Sequence, residues 1–277
     1  MKIRSPLGFT LRATGAFRPR TALVLACAVF LFPSASPALL EYEQITIGIY
    51  EAVAPSVVNI TTQICEPEFF FCSVPSASGS GSGIVLKEEG VIVTNYHVVE
   101  GARDIQVTLS DGRRLKAEVT GMSSENDLAV LQVHPGDRPL KAIPLGDSTD
   151  LKIGERVLAI GNPFGLGQTL TTGVVSMMGR DIKEGGRFFK GLIQTNAAIN
   201  PGNSGGALVN SEGRLVGLNT FILSPTGSSV GLGFAIPVNH VKKILPGMTL
   251  GWEKLAGWAL AILIVYWVLV RIYRWGR

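Results

Sequence analysis

The sequence predicts an all-β protein made of two small barrels, with apolar segments at both ends of the chain. Between residues 52 and 245, short stretches rich in apolar and β-branched residues alternate with turn signals. The segment 134–150 is rich in Pro, Gly and Asp and divides this region into halves of similar size. A chain of 277 residues can bury two small cores. Two antiparallel barrels joined by that segment are therefore expected.

The strands of the first half are predicted one by one. SVVNITTQI is rich in β-branched residues, and SGIVLKEEGVIVTN is expected to form a hairpin that turns at residues 88–90. A second hairpin is expected around Asp111–Gly112, because Asp-Gly is a strong signal for a tight turn. DLAVLQV is a short and mostly apolar stretch, which favours a buried strand.

The second half continues this pattern and closes with a helix. Strands are predicted in ERVLAIG, TLTTGVVSMM, GLIQTNA, GALVNSEGRLVGLNTFI and GLGFAIP. PVNHVKKIL is predicted to be the closing helix, over residues 238–245.

Apolar runs at both ends of the chain predict membrane targeting. Residues 1–38 combine a basic segment, an apolar core and small residues, which is typical of a signal peptide cleaved near Ala38 or, alternatively, of a retained anchor. Residues 253–273 are expected to form a transmembrane helix with a short basic tail, with a buried core helix as the alternative. The tail should then face the cytoplasm and the β region the periplasmic, extracytoplasmic side of the cell membrane.

Charge and cysteine content restrict the possible ligands. Much of the net charge of +4 comes from arginines beside the terminal apolar runs, so nucleic-acid binding is not expected. Cys65 and Cys72 are expected to form a disulfide in an oxidising compartment, with two free thiols as the alternative. No second ligand pair with metal-site spacing is present, so we expect neither a metal nor a cofactor.

Ser204 is a candidate nucleophile because of its glycine-rich surroundings. The stretch INPGNSGGAL, residues 199–208, places this hydroxyl in a chain that can turn sharply and approach a ligand closely. A serine in an ordinary turn is the alternative interpretation. A serine hydroxyl is a weak nucleophile at neutral pH, so catalysis requires a general base and a group that orients the base.

The best candidates for these two roles are His97 and Asp127. His97 lies in VTNYHVV, where an apolar strand is expected to end, whereas His134 lies in the polar linker and His240 on the predicted closing helix. Asp127 stands at the head of an apolar strand, and a buried carboxylate needs a partner such as an imidazolium. The chain order His, Asp, Ser is that of a chymotrypsin-type triad.

Five motifs resemble the protease domain of the HtrA (Deg) family of envelope serine proteases. They occur in order over about residues 42–245: TNYHVVEGA, NDLAVLQV, IGNPFGLGQTLTTGVVS, IQTNAAINPGNSGGALVN and GLGFAIPVNHV. The resemblance implies a chymotrypsin-like fold of two six-stranded barrels, about 42–135 and 150–237, with the active site between them. It also implies a serine endopeptidase that cleaves misfolded or specific proteins.

The resemblance assigns roles within the site. It implies that His97 acts as general base and then acid, that Asp127 orients it, and that Ser204 attacks the peptide carbonyl. The oxyanion hole is expected to consist of backbone N–H groups of Gly202, Ser204 and also Asn203.

The resemblance also locates the pocket for the side chain before the scissile bond. The expected walls are Ala198, Ile199, Asn219, Thr220 and Phe221. No acidic residue is among them, whereas a pocket for Lys or Arg would need a buried carboxylate. We therefore expect a preference for small or medium aliphatic side chains.

Several features depart from the family or leave alternatives open. The sequence passes from the closing helix to the apolar run without a PDZ domain, so regulation is expected in loops such as 177–191 or in a partner. Asn196 occupies a position where the family commonly has Asp, and LLEYEQITIGIYE could support a homotrimer. A catalytically silent binding or chaperone-like module is the alternative function. An α/β esterase fits poorly, because its order is Ser, acid, His.

Overall fold

The computed structural model describes residues 39–64, 77–163, 167–184, 186–225 and 227–249. The predicted signal peptide or anchor, the pair Cys65 and Cys72, and the apolar run 253–273 lie outside these residues, so the predictions about them are not tested. Among the described residues, none of the helices has both the length and the apolar character needed to cross a bilayer.

The first half of the described chain forms a closed antiparallel barrel with the strand order β1-β2-β3-β6-β5-β4. The two predicted hairpins are confirmed, since β2 pairs with β3 and β4 with β5. The six strands are β1 Val57–Ile64, β2 Ala77–Lys87, β3 Val91–Thr94, β4 Asp104–Thr108, β5 Arg114–Ser123 and β6 Leu128–Val133.

The second half forms another closed barrel, with the order β10-β11-β12-β9-β8-β7. Its strands are β7 Arg156–Gly161, β8 Thr169–Glu184, β9 Arg187–Thr195, β10 Ala207–Asn210, β11 Leu215–Ile222 and β12 Gly233–Pro237. The expectation of a loop over 177–191 is wrong, because β8 and β9 continue pairing to Glu184 and Arg187 at the tip of a long hairpin. Antiparallel strands tolerate charged side chains on a solvated face, so polarity did not end the ladder.

In the described part of the chain, three α-helices and a short 3-10 helix over Ala54–Ser56 accompany the barrels. The α-helices are α1 Glu41–Val53, α2 Tyr96–Val99 and α3 Val238–Thr249. The sequence did not predict α1, since β-branched residues in ITI disfavour a helix. Burial of Ile49 and Val53 and a hydrogen bond from Arg156 to the Tyr42 carbonyl (3.4 Å) hold it in place. Tertiary contacts here override intrinsic propensity. The closing helix α3 is present and extends four residues beyond the predicted end.

The linker between the barrels hydrogen-bonds to both of them. The Ile143 N–H donates to the Val85 carbonyl of β2 (2.9 Å), and the Gly146 N–H donates to the Leu215 carbonyl of β11 (2.8 Å). A direct bond joins the barrels as well, from the Asn59 side-chain amide to the Asn162 carbonyl (2.9 Å). These contacts fix the position of one barrel against the other, and the predicted site residues lie where the barrels meet.

Candidate active site

His97 and Asp127 form a close pair on the first barrel. His97 lies on the short helix α2 directly after β3, and Asp127 immediately precedes β6, which pairs with β3. The imidazole Nδ1 is 3.0 and 2.9 Å from the two carboxylate oxygens, and the His97 backbone N–H donates to Oδ1 at 3.1 Å. The two side chains are thus in direct contact, and their catalytic roles stay a prediction.

The carboxylate of Asp127 is fully buried but well supplied with donors. Its side chain is 0% exposed, against 36% for His97. The Thr220 hydroxyl donates to Oδ2 at 2.8 Å. Asp127 has a φ of 51°, a left-handed conformation that Asp tolerates, and the Asn95 side-chain amide donates to its carbonyl at 3.1 Å. A buried carboxylate is stable only with such partners.

The pairing sets the state of the imidazole ring. An ionised carboxylate only accepts hydrogen bonds, so the proton of the neutral His97 ring lies on Nδ1. Nε2 then carries a free lone pair and can accept a proton. This is the state that a general base requires.

Ser204 lies in a loop of the second barrel that is bound to the first barrel. The Ser82 N–H of β2 donates to the Ser204 carbonyl at 2.8 Å, while the Gly205 N–H donates to the Asn219 carbonyl of β11 at 2.8 Å. An ideal Cβ built on Gly81 would lie 2.6 Å from Val98 Cγ1 and 3.3 Å from the Ser204 carbonyl oxygen. Strand β2 therefore lies against both the loop of Ser204 and the helix of His97.

Ser82 of the first barrel links the loop of Ser204 to Asn162, in another segment of the second barrel. Its buried hydroxyl donates to the Gly202 carbonyl at 2.6 Å and accepts from the Asn162 N–H at 2.8 Å. The Thr94 hydroxyl of β3 donates to the Ser82 carbonyl at 2.7 Å. The orientation of the Gly202–Asn203 peptide is thus fixed from the first barrel.

Glycine is required at two positions of the loop. Gly205 has a φ of 82°, and a Cβ there would lie 2.1 Å from the Ser82 carbonyl oxygen. Gly202 has a φ of 94°, and its Cβ would lie 2.5 Å from Pro163 Cβ. Only glycine satisfies both the left-handed backbone and the close approach.

The expected oxyanion hole needs one correction. The Asn203 N–H donates to the Asn200 carbonyl at 2.9 Å, so it is not available to an oxyanion in this conformation. Within the described ranges, the N–H groups of Gly202 and Ser204 have no hydrogen-bond acceptor. Two backbone donors, rather than three, remain for the hole.

Ser204 and His97 both lie at the junction of the two barrels, but their side chains are not hydrogen-bonded to each other. In the described part of the chain, no hydrogen bond joins the Ser204 hydroxyl to the imidazole. Catalytic hydrogen bonds are often long before substrate binds, and rotation of a side chain can close them.

The predicted walls of the specificity pocket are only partly where they were expected. Asn219 and Thr220 are 0% exposed, so they cannot line an open pocket. The Asn219 carbonyl accepts a hydrogen bond from the Gly205 N–H in the loop of Ser204, and the Thr220 hydroxyl donates one to Asp127. Ile199 is buried in the core of the second barrel, whereas Ala198 and Phe221 are partly exposed. Asn219 and Thr220 were assigned to the wall from the resemblance alone, which does not show which side chains of β11 are buried.

The remaining candidates have structural contacts. Asn196 Oδ1 accepts from the Val174 N–H at 2.7 Å, a role that a carboxylate oxygen could also fill. His240 Nε2 is 2.9 Å from Asn126 Oδ1, and burial, followed by the charge of Lys243, lowers the pKa of His240. Neither residue contacts His97 or Asp127.

Three contributors to the site were missed by sequence reasoning: Thr220 as a donor to Asp127, Ser82, and Arg187, whose Nη1 lies 3.4 Å from Asp127 Oδ1. Their partners are between 60 and 120 positions away along the chain. No local pattern could have pointed to such distant contacts.

The chain is similar to known trypsin-like serine proteases. A model of the trypsin-like peptidase domain matches residues 81–218. The chain is 46% identical over 218 residues to Protease Do-like 1, chloroplastic, of Arabidopsis thaliana, which covers 77% of this chain and 50% of that protein. It is 48% identical over 169 residues to the periplasmic serine endoprotease DegP of Escherichia coli (strain K12), covering 61% and 35%. The chain thus spans half or less of these curated relatives.

Solved protein structures are similar to the chain as well. The HtrA-type protease AlgW with a tripeptide superposes with a TM-score of 0.65 at 42% identity, covering 73% of this chain and 63% of that one. The crystal structure of Deg5 has a TM-score of 0.63 at 36% identity and covers 76% of this chain and 97% of that one. With its two barrels and the buried carboxylate beside His97, the chain belongs to the HtrA/Deg family of trypsin-like serine proteases.

Proposed function

We propose that this protein is a serine endopeptidase in which His97, Asp127 and Ser204 form the catalytic triad. The observation that carries the proposal is the pair of His97 Nδ1 and a fully buried Asp127, 2.9 Å apart, beside the loop of Ser204. A carboxylate without access to water cannot be explained as a solvated surface charge. Its donors match what a base-orienting group requires.

The first half of the reaction forms an acyl-enzyme. Nε2 of His97 takes the hydroxyl proton as Ser204 Oγ attacks the peptide carbonyl, and the carbonyl oxygen becomes an oxyanion. The N–H groups of Gly202 and Ser204 stabilise this oxyanion, and one such donor is typically worth about 3 kcal/mol in the transition state. His97 then gives the proton to the leaving amine.

The second half releases the acid. Water attacks the ester carbonyl, transfers a proton to Nε2, and the restored hydroxyl of Ser204 leaves with that proton. Throughout, Asp127 stabilises the imidazolium and stays ionised.

The site and the similar proteins support a proposal for the substrate and for the location of the protease domain. The absence of a carboxylate at Ala198 and Phe221, the two expected wall residues that are partly exposed, supports a preference for small or medium aliphatic side chains before the scissile bond. Misfolded or specific proteins are the proposed substrates. Because DegP is named as periplasmic, we propose that the protease domain lies on the extracytoplasmic side. Tethering by residues 253–273 and a homotrimer remain part of the proposal.

The test is digestion of a permanently unfolded protein by the full chain, with mass-spectrometric identification of the cleavage sites. We expect cleavage after aliphatic residues, and its loss in Ser204→Ala and in His97→Ala, while the exposed Ser211→Ala acts as matched control. If the wild type and Ser204→Ala bind the unfolded protein equally and neither cleaves it, the protein is a binding module instead.

A further inference from the structure

An arginine of the second barrel contacts both the buried carboxylate and the helix of His97. Arg187 begins β9, at the tip of the β8–β9 hairpin. Its Nη1 is 3.4 Å from Asp127 Oδ1, and its Nη2 is 2.8 Å from Glu100 Oε2. The guanidinium carbon lies 5.0 Å from the centroid of the Tyr96 ring. Tyr96 is the first residue of α2, and Glu100 directly follows its last residue. The Arg187 side chain therefore contacts the Asp127 carboxylate and both ends of the helix.

The hairpin that carries Arg187 is packed against the body of the protein. Phe189, two residues further along β9, is 7% exposed, and its ring centroid lies 4.8 Å from that of Phe221. Phe221 follows Thr220, the donor to Asp127, on β11. Packing of Phe189 therefore holds the backbone of β9 close to the site, and the guanidinium is positioned by its contacts with Asp127, Glu100 and the Tyr96 ring.

The two ion pairs of Arg187 differ in strength. Asp127 is 0% exposed and Arg187 27%, whereas Glu100 is 51% exposed. Solvent and salt screen the pair with Glu100 more than the pair with Asp127. Asp127 thus faces two potential cations, the guanidinium and a protonated His97.

The other charges around the pair are few. Helix α2 contributes Tyr96 and Glu100, and β11 contributes only the uncharged hydroxyl of Thr220. From α3, His240 contacts Asn126, and burial, followed by the charge of Lys243, lowers its pKa. Glu125 lies on the rim of a cavity of about 440 Å³ that Arg187 also lines. Lys190 lines the same cavity. Within the described ranges, Arg187 is the one lysine or arginine whose side chain contacts the Asp127 carboxylate.

We propose that Arg187 is a positioning residue of the active site, which holds Asp127 and α2 in place and weakens the attraction between Asp127 and a protonated His97. This inference rests on the proposed function. Its consequence is that the base stays unprotonated at lower pH than it would beside an uncompensated carboxylate. Removing the charge should shift the acid limb of the activity profile to higher pH.

The test measures the rate constant for phosphonylation of Ser204 by a fluorophosphonate between about pH 5 and 9, on the full chain in mild detergent. For Arg187→Gln we expect the midpoint of the acid limb to rise by about half a pH unit and the plateau rate to fall several-fold. Arg187→Lys keeps the charge and should restore the midpoint. Lys183→Gln removes the same charge from an exposed position of the same hairpin and should behave as wild type.

Two results would overturn the inference: an acid limb of Arg187→Gln that coincides with that of the wild type, or an equal shift in Lys183→Gln. Thermal melting of each variant shows that the fold is intact. Absence of labelling in the wild type at every pH would instead overturn the proposed function, and the inference with it.

Discussion

At the residue scale, the hydroxyl of Ser82 illustrates how the loop of Ser204 is held against the first barrel. It bridges the Gly202 carbonyl and the Asn162 N–H, and all three residues are buried. Both partners belong to the second barrel, whereas Ser82 belongs to β2 of the first. Loss of this one oxygen would leave a buried acceptor and a buried donor unpaired.

We predict that Ser82→Ala destabilises the protein by about 1–3 kcal/mol and slows reaction with a fluorophosphonate by about tenfold, since the oxyanion donors lose their support. Urea unfolding and the labelling rate measure the two effects. Ser211→Ala, at an exposed turn, is the control. Equal stability and equal reactivity of the two variants would show that the bridge has no such role.

The proximity of His97 and Asp127 could be inferred from the sequence because local pattern and burial coincide there, while their catalytic roles stay a prediction. His97 and Asp127 each stand at the end of an apolar strand, and the pairing of β3 with β6 brings those ends together. The pocket walls were harder to predict, since Asn219 and Thr220 lie in a strand with no alternation to show which side chains are buried. Asn203 was assigned to the oxyanion hole from the resemblance, and the local turn in which its N–H binds the Asn200 carbonyl could not be read from the sequence.

At the scale of elements, the closing helix α3 is fixed by a polar turn of the linker. The Ser148 hydroxyl accepts from the Asn239 N–H at 3.2 Å, which satisfies a donor of the first turn of the helix. Asp147 accepts from the Asn239 side-chain amide at 2.6 Å and from the Thr149 N–H at 2.8 Å. The hydroxyl and N–H of Thr149, followed by the amide of Asn239, lower the pKa of Asp147 from 3.8 to about 2.

This shift predicts how stability depends on pH. Because the folded state lowers the pKa of Asp147, it stabilises the protein above the ordinary value of 3.8, and this stabilisation is lost as the pH falls towards about 2. Asp147→Asn should lower the melting temperature at neutral pH and flatten its decline in this acid range. Melting curves of the full chain measure both effects, with the exposed Asp150→Asn as control. An unchanged acid decline in Asp147→Asn would contradict the assignment.

Elements with a regular pattern could be predicted, and those stabilised by distant contacts could not. Turn residues marked both hairpins of the first barrel, which formed as expected. The hairpin over 177–191 looked like a loop, because Lys183, Glu184 and two glycines suggest a solvated turn. Helix α1 was missed since its stability comes from burial of Ile49 and Val53 and not from propensity.

At the scale of the whole molecule, neither barrel holds a complete site. The first barrel carries His97 and Asp127, and the second carries Ser204, Thr220 and Arg187. The linker and the bond from Asn59 to Asn162 hold the barrels together. Activity should therefore depend on their association as much as on any one residue.

We expect the association of the two barrels to produce an activated Ser204. The most direct measurement is treatment of the folded full chain with a fluorophosphonate, followed by mass-spectrometric mapping of the adduct, beside Ser204→Ala and His97→Ala. We expect a single adduct on Ser204 that is absent from Ser204→Ala and strongly reduced in His97→Ala. An adduct that persists in Ser204→Ala, or no adduct in the folded wild type, would contradict it.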